Sequence, residues 1–121
     1  MRKRRQISIL WLVVLTIGLA ACGGEPQEDP VLAQGEKLFN THCLACHPTD
    51  VSQPRVGPNL VGLGISLETS GEDAAASLEE SIRFPSQVIT SGYQDLMPAP
   101  EVIGLDDADI ETLVVFLLTL N

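Results

Sequence analysis

A chain of 121 residues has room for one domain, and a 45% hydrophobic composition gives that domain the material for a packed interior. Sixteen acidic residues stand against seven basic ones, and four of those seven crowd into positions 2–5. The chain beyond them keeps only Lys37, Arg55 and Arg83 as cations, a charge balance that excludes nucleic acid and anionic surfaces as partners. Such a surface suits either plain solvation or a partner that presents basic patches.

Arg2, Lys3, Arg4 and Arg5 precede an uncharged apolar stretch from Ile7 to Ala21. The stretch is shorter than the roughly 20 residues that a membrane span needs, and its flanks are those of an export signal over residues 1–21. It ends Leu19-Ala20-Ala21-Cys22, which resembles the bacterial lipobox. That resemblance implies a lipidated Cys22 as the first residue of the mature protein, anchored to the membrane outside the cytoplasm. An uncleaved signal anchor, or an ordinary signal peptide with a free Cys22, are the alternatives. Residues 22–30 read as a polar tether, with no apolar periodicity from Gly23 to Pro30. It either reaches roughly 15 Å as a flexible chain or packs along a partner subunit. The remaining residues, 31–121, form the domain.

Asp29 followed by Pro30 is a helix start, a side-chain cap and then a residue whose missing N–H costs nothing in the first turn. Leu32, Gly35, Leu38 and Phe39 share one face of that first helix. The helix runs into Cys43-Leu44-Ala45-Cys46-His47 and stops at Pro48. The motif is C-x-x-C-H, the attachment signature of a c-type haem. Two thiols at this spacing reach the two vinyl groups on one edge of a porphyrin and form thioethers. The adjacent His47 then offers the iron an imidazole nitrogen. One covalent haem c is therefore expected, and with Cys22 given to lipid no disulfide is left to form. His42 is read as a surface or haem-edge residue.

Residues 49–65 read as a loop, rich in proline and glycine. Within it, Gly57-Pro58-Asn59-Leu60-Val61-Gly62 resembles the G-P-N-L-x-G segment of class I cytochromes c. The resemblance implies that the Pro58 carbonyl accepts a hydrogen bond from the His47 ring, which orients the ligand and raises its basicity. Arg55 falls near the loop that passes the haem propionates in that family, where it either contacts them or is solvated.

A middle helix is expected from about Ser70, with Asp73 completing a capping arrangement and Ala75, Leu78 and Ile82 as its buried stripe. It ends near Arg83, because Phe84 precedes Pro85. The run from Ser81 to Pro85, followed by Gly92-Tyr93-Gln94-Asp95-Leu96-Met97-Pro98, is similar to small bacterial and oxidase-fused cytochrome c domains. Met97 is the only methionine besides the initiator. Its uniqueness, its distance from His47 and the following proline make it the candidate second axial ligand, a soft thioether that favours reduced iron. Tyr93 either hydrogen-bonds a propionate or the Met97 sulfur, or simply walls the haem crevice. Leu60, Leu63, Leu67, Ile82, Phe84, Val88 and Leu96 are expected to pack around the haem.

The last helix is expected from Asp106 or Asp107 to Leu120, with Asp107 and Asp109 suiting its N-terminal dipole. Ile110, Leu113, Val114, Leu117 and Leu120 form its apolar stripe, with Phe116 beside it. In the cytochrome family the first and last helices cross closely, and Gly35, Phe39, Leu113 and Phe116 match the crossing positions. No strand alternation is present.

The resemblance covers about residues 30–121 and implies an all-α cytochrome c fold, three main helices and loops around one covalent haem. It implies a membrane-tethered electron-transfer protein with His47 and Met97 as ligands, not an enzyme, either a carrier or a haem subunit of a respiratory or photosynthetic complex. Its partners are then a quinol-oxidising complex as donor and a terminal oxidase or reaction centre as acceptor. A haem enzyme or ligand-binding sensor with an open iron site is the other class to weigh. The domain carries no tryptophan at the propionates and few lysines, so the lysine-rich docking face of mitochondrial cytochrome c is not expected here. A domain this small buries a modest core, so the haem-free chain is expected to be largely unfolded.

Overall fold

The computed structural model describes residues 29–50 and 56–120. The export signal, Cys22, most of the tether and Arg55 lie outside the described residues. The described chain is helical, with no strand: α1 (Pro30–His42), α2 (Leu63–Ser70), α3 (Ala74–Arg83), a single 3-10 turn (Pro100–Val102) and α4 (Asp107–Leu117).

Three of the four helices begin where a short acidic side chain satisfies free backbone donors. Asp29 accepts from Val31 N–H at 2.8 Å, Asp73 from Ala76 N–H at 3.0 Å and Asp106 from Asp109 N–H at 2.9 Å. At α4 the box is complete, because Asp109 also accepts from the Asp106 N–H.

The helix α2 was not expected. It begins in the last three residues of the expected loop and runs on to Ser70, where the middle helix was expected to start, and it is bounded by glycines with positive φ, Gly62 at 74° and Gly71 at 86°. A glycine-bearing stretch of eight residues has little helical propensity of its own. Tertiary contact holds it: Gly64 is buried, and a side chain there would lie 3.3 Å from Leu118. The middle helix is correspondingly shorter than expected. Ser70 closes α2, and Asp73 is itself the cap of α3. That start sets the register, so Ala74, Leu78 and Ile82 are buried at a spacing of four, and Ala75 is exposed.

The most extensive helix contact is between α1 and α4. A Cβ on Gly35 would stand 2.5 Å from the Phe116 Cβ and 2.8 Å from the Thr112 carbonyl oxygen, so the two backbones approach as only glycine allows. The Phe39 and Phe116 rings pack beside that contact at 5.5 Å, which is the expected crossing. The core joins Phe39 to Leu78, Ile82, Leu105, Ile110, Leu113, Val114 and Leu117. Helix α4 ends at Leu117 rather than Leu120, because the last residues tighten into i→i+3 bonds, Thr119 N–H to Phe116 and Leu120 N–H to Leu117. The Leu120 carbonyl then accepts from Gly62 N–H at 2.7 Å, tying the end of the chain to the start of α2. Arg83 bonds Glu79 on its own helix and Asp107 on α4, fixing the end of α3 against the start of α4.

Candidate haem site

Helix α1 delivers the C-x-x-C-H motif as a continuation of its own hydrogen bonding. Cys43 and Leu44 N–H groups both donate to Phe39, and the Cys46 and His47 N–H groups both donate to Cys43. The turn places Cys43 half-buried, Cys46 exposed and His47 buried at 9% exposure. Burial first, and the neighbouring Cys46 second, push the Cys43 thiol up to about 11. Before haem attachment its sulfur is therefore a protonated thiol at neutral pH.

His47 is the one polar or charged residue buried among the described residues. Its Nδ1–H donates to the Pro58 carbonyl at 2.7 Å. A carbonyl only accepts, so this bond places a proton on Nδ1; Nε2 has no protein partner among the described residues, and in the neutral imidazole it carries the lone pair. The sequence reading missed Gly57. A Cβ there would lie 2.4 Å from His47 Cε1 and 2.8 Å from both ring nitrogens, so the bare Gly57 backbone lies against the imidazole. Gly57 N–H also donates to the Cys46 carbonyl at 2.9 Å, which binds this segment to the motif. The only signal in the sequence was the glycine immediately before Pro58.

These groups open onto a cavity of about 370 Å³. Cys43, Cys46, His47, Pro58, Tyr93 and Met97 all line it, although they come from three separate stretches of the chain. Leu60, Leu63, Leu67, Ile82, Val88 and Leu96 add the expected apolar wall, joined by Leu105, Leu113 and Leu117 of the core. Phe84 departs from expectation: it is half exposed and is not on the wall, because it closes α3 as its C-cap. Tyr93 is half-buried, and its hydroxyl has no hydrogen-bond partner among the described residues. Met97 stands in an extended segment between Leu96 and Pro98 at 38% exposure. His42 sits on the cavity wall, half-buried.

The donor set tests which group belongs here. Two thiols beside one edge, one unpartnered buried imidazole nitrogen, one thioether and otherwise mainly aliphatic walls fit a flat apolar ring that carries a metal. Among the described residues no three His, Cys, Asp or Glu side chains converge to hold a bare metal ion.

Comparison with known proteins agrees with that chemistry. The cytochrome c family model matches residues 32–121. The cytochrome c subunit of the cytochrome bc1 complex of Mycobacterium tuberculosis is 36% identical over 76 residues, covering 52% of this chain and 27% of that protein. Cytochrome c oxidase subunit 2 of a Bacillus species is 30% identical over 104 residues, covering 77% of this chain and again 27% of the relative. Cytochrome c-552 of Nitrosomonas europaea is 29% identical over 111 residues, 92% of this chain and 96% of its own length. The chain thus spans about a quarter of the first two relatives and nearly all of the third. It belongs to the class I cytochrome c family, with that family's all-α fold and a covalently bound haem c as its cofactor.

Proposed function

We propose that the domain relays single electrons between membrane electron-transport proteins, holding its haem by thioethers from Cys43 and Cys46 and ligating it through His47 Nε2 and the Met97 sulfur. The haem supplies the one-electron change between ferric and ferrous iron. Pro58 and Gly57 hold the imidazole, the first by its bond to Nδ1 and the second by leaving the ring no room to tilt toward it. Met97 contributes a weak, soft donor that favours the reduced state. The leucine-rich wall excludes water, which keeps the environment of the two oxidation states alike. The reading rests on one observation: a buried histidine whose Nδ1–H is committed to a carbonyl and whose Nε2 is unpartnered.

The test is spectroscopic. The ferric protein is expected to show the weak long-wavelength band of methionine ligation, and the ferrous protein to bind no carbon monoxide. Met97→Ala is expected to lose the band and to gain carbon monoxide binding. Immediate binding by the unaltered ferrous protein would sink this reading in favour of an open-site enzyme or sensor.

Cys22 provides a lipid anchor that holds the domain on the outer face of the membrane or in the periplasm. The lipobox-like Leu19-Ala20-Ala21-Cys22 supports this, and anchoring raises the local concentration of the domain near its partners. Cys22→Ser is expected to release the protein from the membrane fraction. Relatives named as a bc1-complex subunit and as an oxidase subunit support a quinol-oxidising complex as donor and a terminal oxidase as acceptor. A photosynthetic reaction centre is the other acceptor of suitable chemistry. Salt-resistant co-purification with such a complex marks a fixed subunit, and release as a lone lipoprotein marks a carrier.

A further inference from the structure

The segment that carries Met97 runs from the end of α3 to the 3-10 turn, and its two ends are well held. Pro85 and Pro100 are both buried, and Leu105 N–H donates back to the Pro100 carbonyl at 3.0 Å. Between those anchors the backbone makes only local turns. Gln87 N–H donates to Phe84, Tyr93 N–H to Thr90 and Leu96 N–H to Gln94. Gly92, at φ 89°, lies between the two limbs of the loop. Among the described residues, one side-chain hydrogen bond crosses this loop. The Ser86 hydroxyl donates to Asp95 Oδ1 at 3.0 Å, joining residues nine apart. Ser86 follows the buried Pro85, and Asp95 stands two residues before Met97.

We propose that Ser86 and Asp95 form a clasp that positions Met97, and that the clasp sets how firmly the thioether holds its place against competing ligands. The proposal rests on Met97 being an axial ligand. A thioether is a weak donor, so its occupancy depends on how few other places the loop can put it. Closing the loop at its base removes open conformations from the ensemble, as any tie across a flexible segment does. Pro98 stiffens the other side of Met97. Among the described residues, the other hydrogen bonds of the limb from Thr90 to Leu96 are its own local turns. The ferric form is the sensitive one, because the thioether favours reduced iron.

The experiment uses the full-length haem-loaded protein and imidazole as the competing ligand. Ser86→Ala is expected to raise the affinity of the ferric protein for imidazole about three- to tenfold, the worth of one exposed hydrogen bond. The methionine band is expected to disappear at correspondingly lower imidazole concentration. Asp95→Ala should do the same, and the double variant should add nothing, since both changes break one bond. Ser86→Thr, which keeps the hydroxyl, should return the wild-type affinity. Equal imidazole affinity in wild type and Ser86→Ala would overturn the clasp. A wild-type protein that lacks the methionine band would instead overturn the ligand assignment beneath it, and that outcome is visible before any variant is made.

Discussion

At the scale of single residues, the site depends on two contacts to one imidazole. Pro58 takes the Nδ1–H, and Gly57 supplies a bare backbone against the ring. Gly57→Ala keeps the backbone N–H and adds one methyl group, which must displace His47 because its nearest ring atom would be 2.4 Å away. Overpacking of this kind costs about 1–3 kcal/mol. For a domain of this size that lowers the melting temperature by roughly 4–8 °C per kcal/mol. Calorimetry on the haem-loaded variant checks it. The bond to Pro58 was expected from the resemblance of the G-P-N-L-x-G segment to class I cytochromes c, and the structure contains it. The contact with Gly57 was not, since the distance from one backbone atom to a ring ten residues away follows from the path of the intervening chain.

At the scale of elements, the first and last helices are readable and the middle of the chain less so. The cap at Asp29 and the acidic start of the last helix act within three residues of themselves, so local sequence reveals them, whereas Asp73 was expected inside its helix and is instead the cap. The crossing of α1 and α4 is equally legible in its parts, a glycine and an aromatic on each side of the contact. Gly35→Ala puts a Cβ 2.5 Å from Phe116 and 2.8 Å from the Thr112 carbonyl, so α4 must move away from α1. Helix propensity favours alanine by about 1 kcal/mol, and the clash outweighs it. A net loss of about 1–2 kcal/mol is expected in chemical denaturation, near the low end of overpacking costs once that gain is deducted. A stabilised Gly35→Ala would show that the helices can slide apart freely. Helix α2 escaped the sequence because its support comes from Leu118 and from the chain end at Leu120, more than fifty residues away. The register of α3 follows from α2, which takes Ser70 as its last residue and leaves Asp73 as the cap that decides which alanine is buried.

At the scale of the whole molecule, the core and the cofactor cavity share their residues. Leu78, Ile82, Leu105, Leu113 and Leu117 belong to the buried core and also line the cavity. In a chain that never acquires its haem these side chains line a cavity that no apolar group fills, and each aliphatic side chain that loses its packing forfeits up to about 1.5–3 kcal/mol. Net stabilities of small domains are only about 5–15 kcal/mol. A Cys43→Ser/Cys46→Ser variant isolated without haem is therefore expected to lose most of its helical circular dichroism at room temperature. Retention of native-like helicity would show that the helices hold without the cofactor. By itself the sequence determined what depends on short spacing: the thiol pair with its histidine, the cap at Asp29 and the acidic start of the last helix. Only the tertiary structure decided that Leu105, Leu113 and Leu117 join the expected cavity wall and Phe84 leaves it, where α2 forms, how Gly57 backs the imidazole and that Ser86 meets Asp95. The physical reason is range. Spacing and capping act within one turn of chain, whereas packing joins residues whose separation in sequence no local pattern records.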